Sequence, residues 1–538
     1  VGCKVKFFKM YQLLHQRLRQ LQISHITNFL QQSLVGIERE ALRITPTGNI
    51  ALTPHPEILG AALTHPHITT DYSEALIELI TPPQPNGNAV IQSLAELHRF
   101  VHQHLPAEYL WAASMPGVLT GETSIPIASY GSSNAGRMKT IYRRGLGLRY
   151  GRNMQAIAGI HFNYSLSNEY WSILHELEAK HQLIQEYTAN EYMGMIRNIQ
   201  RYGWLIPYLF GASPVVAQSF IDTRSHDLQP FTANTLYYPY ATSLRMGNIG
   251  YQNSLEEGKG FRANYDSLNS YTRSLTWAME TTCPDYEKIG IIDNDGDYQQ
   301  LNANLLQIEN EHYSTIRPKQ ILKWLEKPTV ALRERGIHYV ELRSLDVNIF
   351  EPIGVALEQL YMLEILLLLC LWHSSPRITA AEGKEINTNQ VLVAHRGRDL
   401  NLRLNRDNTP IYMREWAHEL ITEMNPIAAL LEENIVTKPY TRTLAMAKER
   451  IAHPDTTPSA IMLEMMSNGN YSFLEFGLQL SMAHQAKILT TAPLPAERYN
   501  YFTQLATTSH HRQRELELNN TQPFAQFLKD YFKQDLTP

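Results

Sequence analysis

The chain has 538 residues, 43% of them hydrophobic and 18% charged, a balance that buries a large core and excludes an intrinsically disordered protein. A formal net charge of -5 and a pI near 6.5 give no polycationic footprint, which argues against nucleic acid as an obligatory partner and leaves small anions to be held by local arginines. Cys3, Cys283 and Cys370 lie far apart without CxxC spacing, as expected of a chain kept in a reducing cytoplasm.

Ahead of Glu38 stand five Lys or Arg residues and no acid, but Leu14, Leu18 and Leu21 recur at helical spacing, so 10–33 is read as an N-terminal helical segment. Period-two alternation then predicts a strand over Leu34 to Ile44, with Glu38 and Glu40 on one face. The stretch Thr69 to Leu79 is ambiguous. A helix would align Asp71, Glu74 and Glu78, whereas a strand would align Glu74 and Glu78 without Asp71. The turn-rich Tyr130 to Lys139 combines two glycines, small polar residues and two cations. It suits either close approach to phosphate or carboxylate or a tight turn with a basic surface, and it matches neither a Walker A loop nor GxGxxG. Beyond it, Tyr142, Arg143, Gln155, Arg245 and Tyr251 are candidate ligands for an amino-acid substrate, because guanidinium meets carboxylate through paired, charge-assisted hydrogen bonds.

Three further strands are predicted: Gly159 to Leu166 with His161 and Asn163, Leu305 to His312 with Gln307, Glu309 and Glu311, and His338 to Leu345 with Glu341 and Arg343. Glu186 to Tyr202 and Glu351 to Trp372 read as helices, and the apolar run Ile365 to Trp372 is too short to cross a bilayer. After about residue 380 helical patterns dominate, in Ile411 to Met424, Pro439 to Ile451 and Ser459 to Met466. Long irregular connections disfavour a doubly wound parallel sheet, so an α+β fold built on an antiparallel sheet is expected. The chain is read as a single catalytic unit over 1–538, with a sheet core at 34–380 and a mainly helical cap at 381–538.

Taken together, the polar stripes of the four strands would line one face of a shared sheet. Burying carboxylates without partners is costly, so a face this acidic calls for water, cations or metal. Oxygen ligands with a single His suit Mg²⁺ or Mn²⁺ better than zinc. Neither a GxSxG elbow nor a local cysteine-protease signature occurs.

Seven ordered segments carry a family resemblance: GIEREALRI (Gly36 to Ile44), ALTHPHITTDYSEALIELITP (Ala62 to Pro82), YGSSNAGRMKTIYRRGLGLRYG (Tyr130 to Gly151), GIHFNYSL (Gly159 to Leu166), RYGWLIPYLFGASP (Arg201 to Pro214), LQIENEHYSTIRPK (Leu306 to Lys319) and IHYVELRSLDVNIFEPIG (Ile337 to Gly354). They closely resemble bacterial glutamate–cysteine ligase of the gammaproteobacterial type. The resemblance implies a glutamine synthetase-like antiparallel β-sheet cradle flanked by helices, with a helical C-terminal region. It implies ATP-dependent ligation of L-glutamate to L-cysteine through a γ-glutamyl phosphate, the first step of glutathione biosynthesis, with Mg²⁺ or possible Mn²⁺ and ATP as co-substrate. By the same match, Glu38, Glu40, Asp71, Glu78, His161 and Glu341 correspond to metal ligands and Arg343 to a residue directed at the transferred phosphate. Tyr72, Tyr142, Gln155, Ile157, Tyr251 and Tyr313 would surround cysteine, and Arg143 and Arg245 would hold carboxylate or phosphoryl oxygens. Tyr72 stands where Phe is expected. A cytoplasmic monomer inhibited by glutathione, without nucleic-acid or membrane partners, follows by analogy. The competing readings are a sister carboxylate–amine ligase with another amine acceptor and a non-catalytic nucleotide-binding protein.

Overall fold

The computed structural model describes residues 11–23, 27–221, 226–250, 261–491 and 493–534. Its strands in chain order are β1 (Leu34–Ile44), β2 (Ile68–Thr70), β3 (Leu76–Ile80), β4 (Tyr109–Leu110), β5 (Ile160–Ser165), β6 (Val215–Ala217), β7 (Gln229–Pro230), β8 (Thr235–Tyr237), β9 (Ile316–Lys319), β10 (Tyr339–Leu345), β11 (Arg403–Arg406) and β12 (Thr409–Tyr412). A seven-stranded sheet runs in the order β2-β3-β1-β5-β10-β9, with β4 paired to β1, and each of these pairings is antiparallel. The central neighbours are far apart in sequence: β1 lies beside β5, and β5 beside β10.

One face of this sheet is apolar. Ile37, Ala41, Phe162, Tyr164, Val340 and Leu342 are buried there, under the helices Gly87–Gln103 and Leu357–Trp372. The second helix is apolar all round, as its Leu-rich sequence requires of an element sunk in the core. Among the described residues no helix is long and apolar enough to cross a membrane. The main core runs continuously from Tyr11, just ahead of the helix Gln12–Ile23, to Phe502, with smaller apolar clusters around Met138 and Phe524 and around Leu63 and Tyr130.

The α+β architecture, the antiparallel sheet and the helical region beyond residue 380 agree with the sequence reading. The strand expected at Leu305 to His312 does not form. That stretch is irregular with a 3-10 turn at Glu309–Glu311, and the edge strand lies further on, at Ile316–Lys319. Its polar residues are used locally: Gln307 accepts from Leu301 N, Glu311 accepts from Arg149 Nη1 at 2.7 Å and Tyr150 at 2.9 Å, and Glu309 accepts from Thr329 Oγ1 at 2.6 Å.

The last helices fold back over the middle of the chain. Glu517 on Ala496–Leu518 accepts from Ser132 N, Asn134 Nδ2 donates to Gln522 O, and Arg137 lies over the Phe524 ring. Gln534 accepts from Lys327 N and donates to Leu325 O. The Tyr130 to Lys139 segment is therefore a tight turn, with Gly131 at φ +78°, whose Ser133 caps the helix Asn134–Tyr150. The C-terminal helices contact it, while Gly131, Ser132, Arg137 and Lys139 stay exposed.

Candidate active site

The other face of the sheet is polar, and register decides which groups meet. Glu40 pairs with Glu78 across β1 and β3, Glu38 with His161 across β1 and β5, and Glu341 with Asn163 across β10 and β5. The ambiguous acidic stretch is a hairpin: Asp71 begins the turn after β2, and Glu78 lies on β3. Glu74 sits in that turn, where its carboxylate accepts from His55 N and Ser129 N, and so serves the loop.

Around His161 the side chains are in direct contact. Its Nδ1 is 2.9 Å from Glu38 and 3.5 Å from Glu341, and its Nε2 is 3.3 Å from Glu40. Asn163 Nδ2 donates to Glu38 at 2.8 Å, Arg343 Nη1 donates to Glu341 at 2.7 Å, and Gly159 N donates to Glu40 at 2.6 Å. Lys319 Nζ reaches the other oxygen of Glu341 at 3.1 Å. Arg343 sits where the β10 to β5 register shifts between Leu342 and Leu345, an irregularity of the kind that re-aims a side chain.

The charges do not cancel evenly. Burial opposes ionisation of Glu341, but Lys319, Arg343 and His161 outweigh it and hold its carboxyl well below the usual range. Burial and Glu341 work against Glu38 as well, and the hydrogen bond with His161 still holds it below the usual value. Glu40 is pushed up, chiefly by burial, and Glu78 is pushed well up by burial and by the charges of Glu38, Asp71 and Glu40. The β1 to β3 side of the face thus has more carboxylate than cation. Glu38, Glu78 and His161 each offer a ligand atom within 4.8 Å of the others. A mainly oxygen donor set in surplus negative charge fits a hard divalent cation.

Lys319 also borders a cavity of about 320 Å³ between β9 and the helices Leu268–Glu280 and Pro328–Arg335, lined by Tyr271, Leu275, Arg317, Ile321, Leu332 and Tyr339 among others. Apolar and aromatic walls with Arg317 and Lys319 among the polar lining groups, which also include Glu309, suit a flat, anionic ligand. Lys319 and Arg317 had no role in the sequence reading, because a short strand carrying Pro318 gives little periodic signal and their alignment with Glu341 depends on register.

The remaining candidates occupy the surroundings. Tyr72 is buried against the helix Asn134–Tyr150, its hydroxyl so close to Gly147 that a Cβ there would lie 2.4 Å away. Arg143, from the same helix, donates through Nε to the carbonyl of Asp71 and lies over the Tyr130 ring. Tyr142 is partly buried beside it, and Gln155 and Ile157 are buried on the approach to β5. Tyr313 reaches Met246 Sδ at 3.8 Å. Arg245 is buried, with Nη2 donating to the carbonyl of Arg343 at 2.8 Å. Tyr251 lies outside the described residues.

The sequence profile of the glutamate-cysteine ligase family matches residues 18–393. The chain belongs to the glutamate–cysteine ligase family. Among its relatives in that family, the glutamate–cysteine ligase of Alcanivorax borkumensis is 42% identical over 523 residues, covering 96% of this chain and 99% of the relative. That of Pseudomonas entomophila is 44% identical over 519 residues, covering 96% and 97%. The crystal structure of glutamate–cysteine ligase from Francisella tularensis in complex with AMP superposes with a TM-score of 0.86 at 34% identity, over 94% of this chain and 98% of that one. A bifunctional glutathione synthetase from Pasteurella multocida, at 23% identity and a TM-score of 0.71, shares the fold over 88% of this chain and 55% of its own.

Proposed function

We propose that the protein joins the γ-carboxylate of L-glutamate to the amine of L-cysteine with ATP, giving γ-glutamylcysteine, ADP and phosphate, the first step of glutathione synthesis. The observation that carries this reading is Arg343 held by Glu341 at 2.7 Å, on an acid-rich face whose Lys319 leads into the apolar cavity.

A carboxylate does not react with an amine at neutral pH, so ATP first converts it to an acyl phosphate. The cavity beside Lys319 takes the nucleoside part of ATP, and Lys319 and Arg317 draw its phosphates toward the acids. Arg343, its guanidinium fixed by Glu341, presents donors to the transferred phosphoryl oxygens and favours the charge that develops during transfer. Glu38, Glu78 and His161, with Glu40, Asp71 and Glu341 around them, would hold Mg²⁺ or Mn²⁺. When bound, such a cation supplies the positive charge that offsets repulsion between carboxylate and phosphate.

Attack by the cysteine amine then expels phosphate. Tyr72, Tyr142, Gln155, Ile157, Tyr251 and Tyr313 form the cysteine pocket in this reading, and Arg143 and Arg245 serve substrate carboxylate or phosphoryl oxygens. Discrimination against one methylene is worth only about 1–3 kcal/mol in such a pocket, so 2-aminobutyrate is accepted. The chain acts as one catalytic unit, which its continuous core supports. A cytoplasmic monomer inhibited by glutathione completes the proposal by family resemblance.

The test is ADP release with Mg-ATP and glutamate, with and without cysteine or 2-aminobutyrate. Release that needs both amino acids, with the γ-glutamyl product identified by mass, is expected. Turnover only with another amine would reassign the chain to a sister ligase.

A further inference from the structure

Asp346 follows β10 directly and is 2% exposed. Among the donors that aim its carboxylate are Ala212 N at 2.9 Å on one oxygen and Ser243 Oγ at 2.9 Å on the other. The second oxygen also lies 3.7 Å from Arg245 Nη1. Arg245 in turn reaches across to the active strand, where its Nη2 donates to the carbonyl of Arg343 at 2.8 Å. The alignment of β10 with β5 slips at this point, so the guanidinium meets a carbonyl in the interrupted part of the ladder. Space for it exists because residue 159 is glycine, where a Cβ would come within 2.1 Å of Arg245 Nη2. On its other side Arg343 is fixed by its N–H, which donates to Thr315 O at 2.8 Å.

A buried guanidinium is drawn to whichever carboxylates surround it. Arg245 lies between two sets: Asp346 behind it, and the acids of the polar face, of which Glu40 feels its charge. We propose that Asp346 is a positioning residue that holds Arg245 away from those acids and against the Arg343 carbonyl, and so sets the direction in which Arg343 leaves the strand. This inference rests on the ligase reading above. Loss of the charge at 346 frees Arg245 to turn toward Glu40, which both loosens Arg343 and places a rival cation among the metal-binding carboxylates.

Asp346→Asn is the test, assayed beside the wild-type protein. The amide keeps the side chain's size and still accepts from Ala212 N, while a hydroxyl such as Ser243's can accept from its NH₂. Expected are a melting temperature close to wild type, a kcat lowered about tenfold or more, and a several-fold rise in the Mg²⁺ concentration needed for half-maximal rate. In an Arg245→Gln background the same substitution is expected to add nothing, since the residue through which it acts is gone. An unchanged kcat and Mg²⁺ requirement, or equal losses in both backgrounds, would overturn the proposal. If Asp346→Asn does not fold, Ser243→Ala carries the test, because it keeps the charge and removes one aiming donor: a smaller loss of the same pattern supports the proposal, and wild-type kinetics defeats it. An inactive wild type would instead refute the ligase reading itself.

Discussion

Glu40 and Glu78 stand directly opposite each other on neighbouring antiparallel strands, a like-charge pair set at the centre of a sheet. Such a pair destabilises an ordinary sheet. Both carboxyls are pushed above their usual range, chiefly by burial, with Asp71 adding to the pressure on each. A raised folded-state pKa gives stability that is complete below the unfolded value and is lost as pH rises through the folded value. In EDTA the contribution of this pair is therefore expected to fall as pH rises above about 5, against the opposite trend of buried histidines such as His55, His65 and His102, whose pKa values burial lowers, and Mg²⁺ is expected to restore what the pair loses. Glu78→Gln should flatten that pH dependence and raise the melting temperature in EDTA by about 1–3 °C. It should also lower ligase activity by about 10–100-fold. Differential scanning fluorimetry across pH, with and without Mg²⁺, checks the first two points; a Glu78→Gln protein with wild-type turnover would remove Glu78 from the metal set.

Arg343→Lys keeps a positive charge near Glu341 but loses the planar fork. Turnover is expected to fall about 10²-fold or more, with circular dichroism unchanged. Steady-state kinetics decides: a variant within twofold of wild type would show that Arg343 does not serve the phosphoryl group.

Among the described residues the buried hydroxyl of Tyr72 has no hydrogen-bond partner, and it is pressed against Gly147. An unsatisfied buried hydroxyl costs about 1–3 kcal/mol, so Tyr72→Phe is expected to stabilise the protein while preserving turnover. Denaturant unfolding measures the gain. Loss of stability would mean that the hydroxyl has a partner, and a large change in KM for cysteine would show that it touches substrate.

Glu364 interrupts the apolar helix Leu357–Trp372 and accepts from Tyr440 at 2.7 Å and Tyr164 at 3.5 Å. Burial pushes its pKa up to about 7 against those two hydrogen bonds. The sign is the same as for Glu78: this group's contribution is complete below about pH 4.5 and falls away as pH rises toward about 7. Glu364→Gln should leave stability at pH 5 nearly unchanged and raise it at pH 8. Thermal melts at the two pH values check it, and an equal change at both would show that Glu364 does not titrate in this window.

Much of the site was legible because a strand exposes its chemistry at every second residue. Glu38 with Glu40, His161 with Asn163, and Glu341 with Arg343 all share a face as alternation requires. The same rule misled at Gln307, Glu309 and Glu311, whose spacing of two also fits an irregular segment with a turn. Periodicity reports a possible strand; the partners that make it one lie elsewhere in the chain. For that reason Lys319 and Asp346 stayed unread. Each acquires its meaning from a group distant in sequence or across a strand pair, Lys319 from Glu341 and Asp346 from Arg245. The choice between helix and strand for Asp71 to Glu78 was likewise settled by pairing with β1 and not by local pattern.

The fold-back of the C-terminal helices has a consequence for how the enzyme comes into being on the ribosome. Glu517, Gln522 and Phe524 secure the turn that leads into the helix bearing Tyr142 and Arg143, and Gln534 ties the loop that follows β9 and the Lys319 cavity. Two walls of the candidate site are thus buttressed by residues translated long after the walls themselves. A nascent chain that has already made Glu38, Glu78, His161, Glu341 and Arg343 still lacks those supports, so the candidate site stays incomplete until residues 517–534 have emerged.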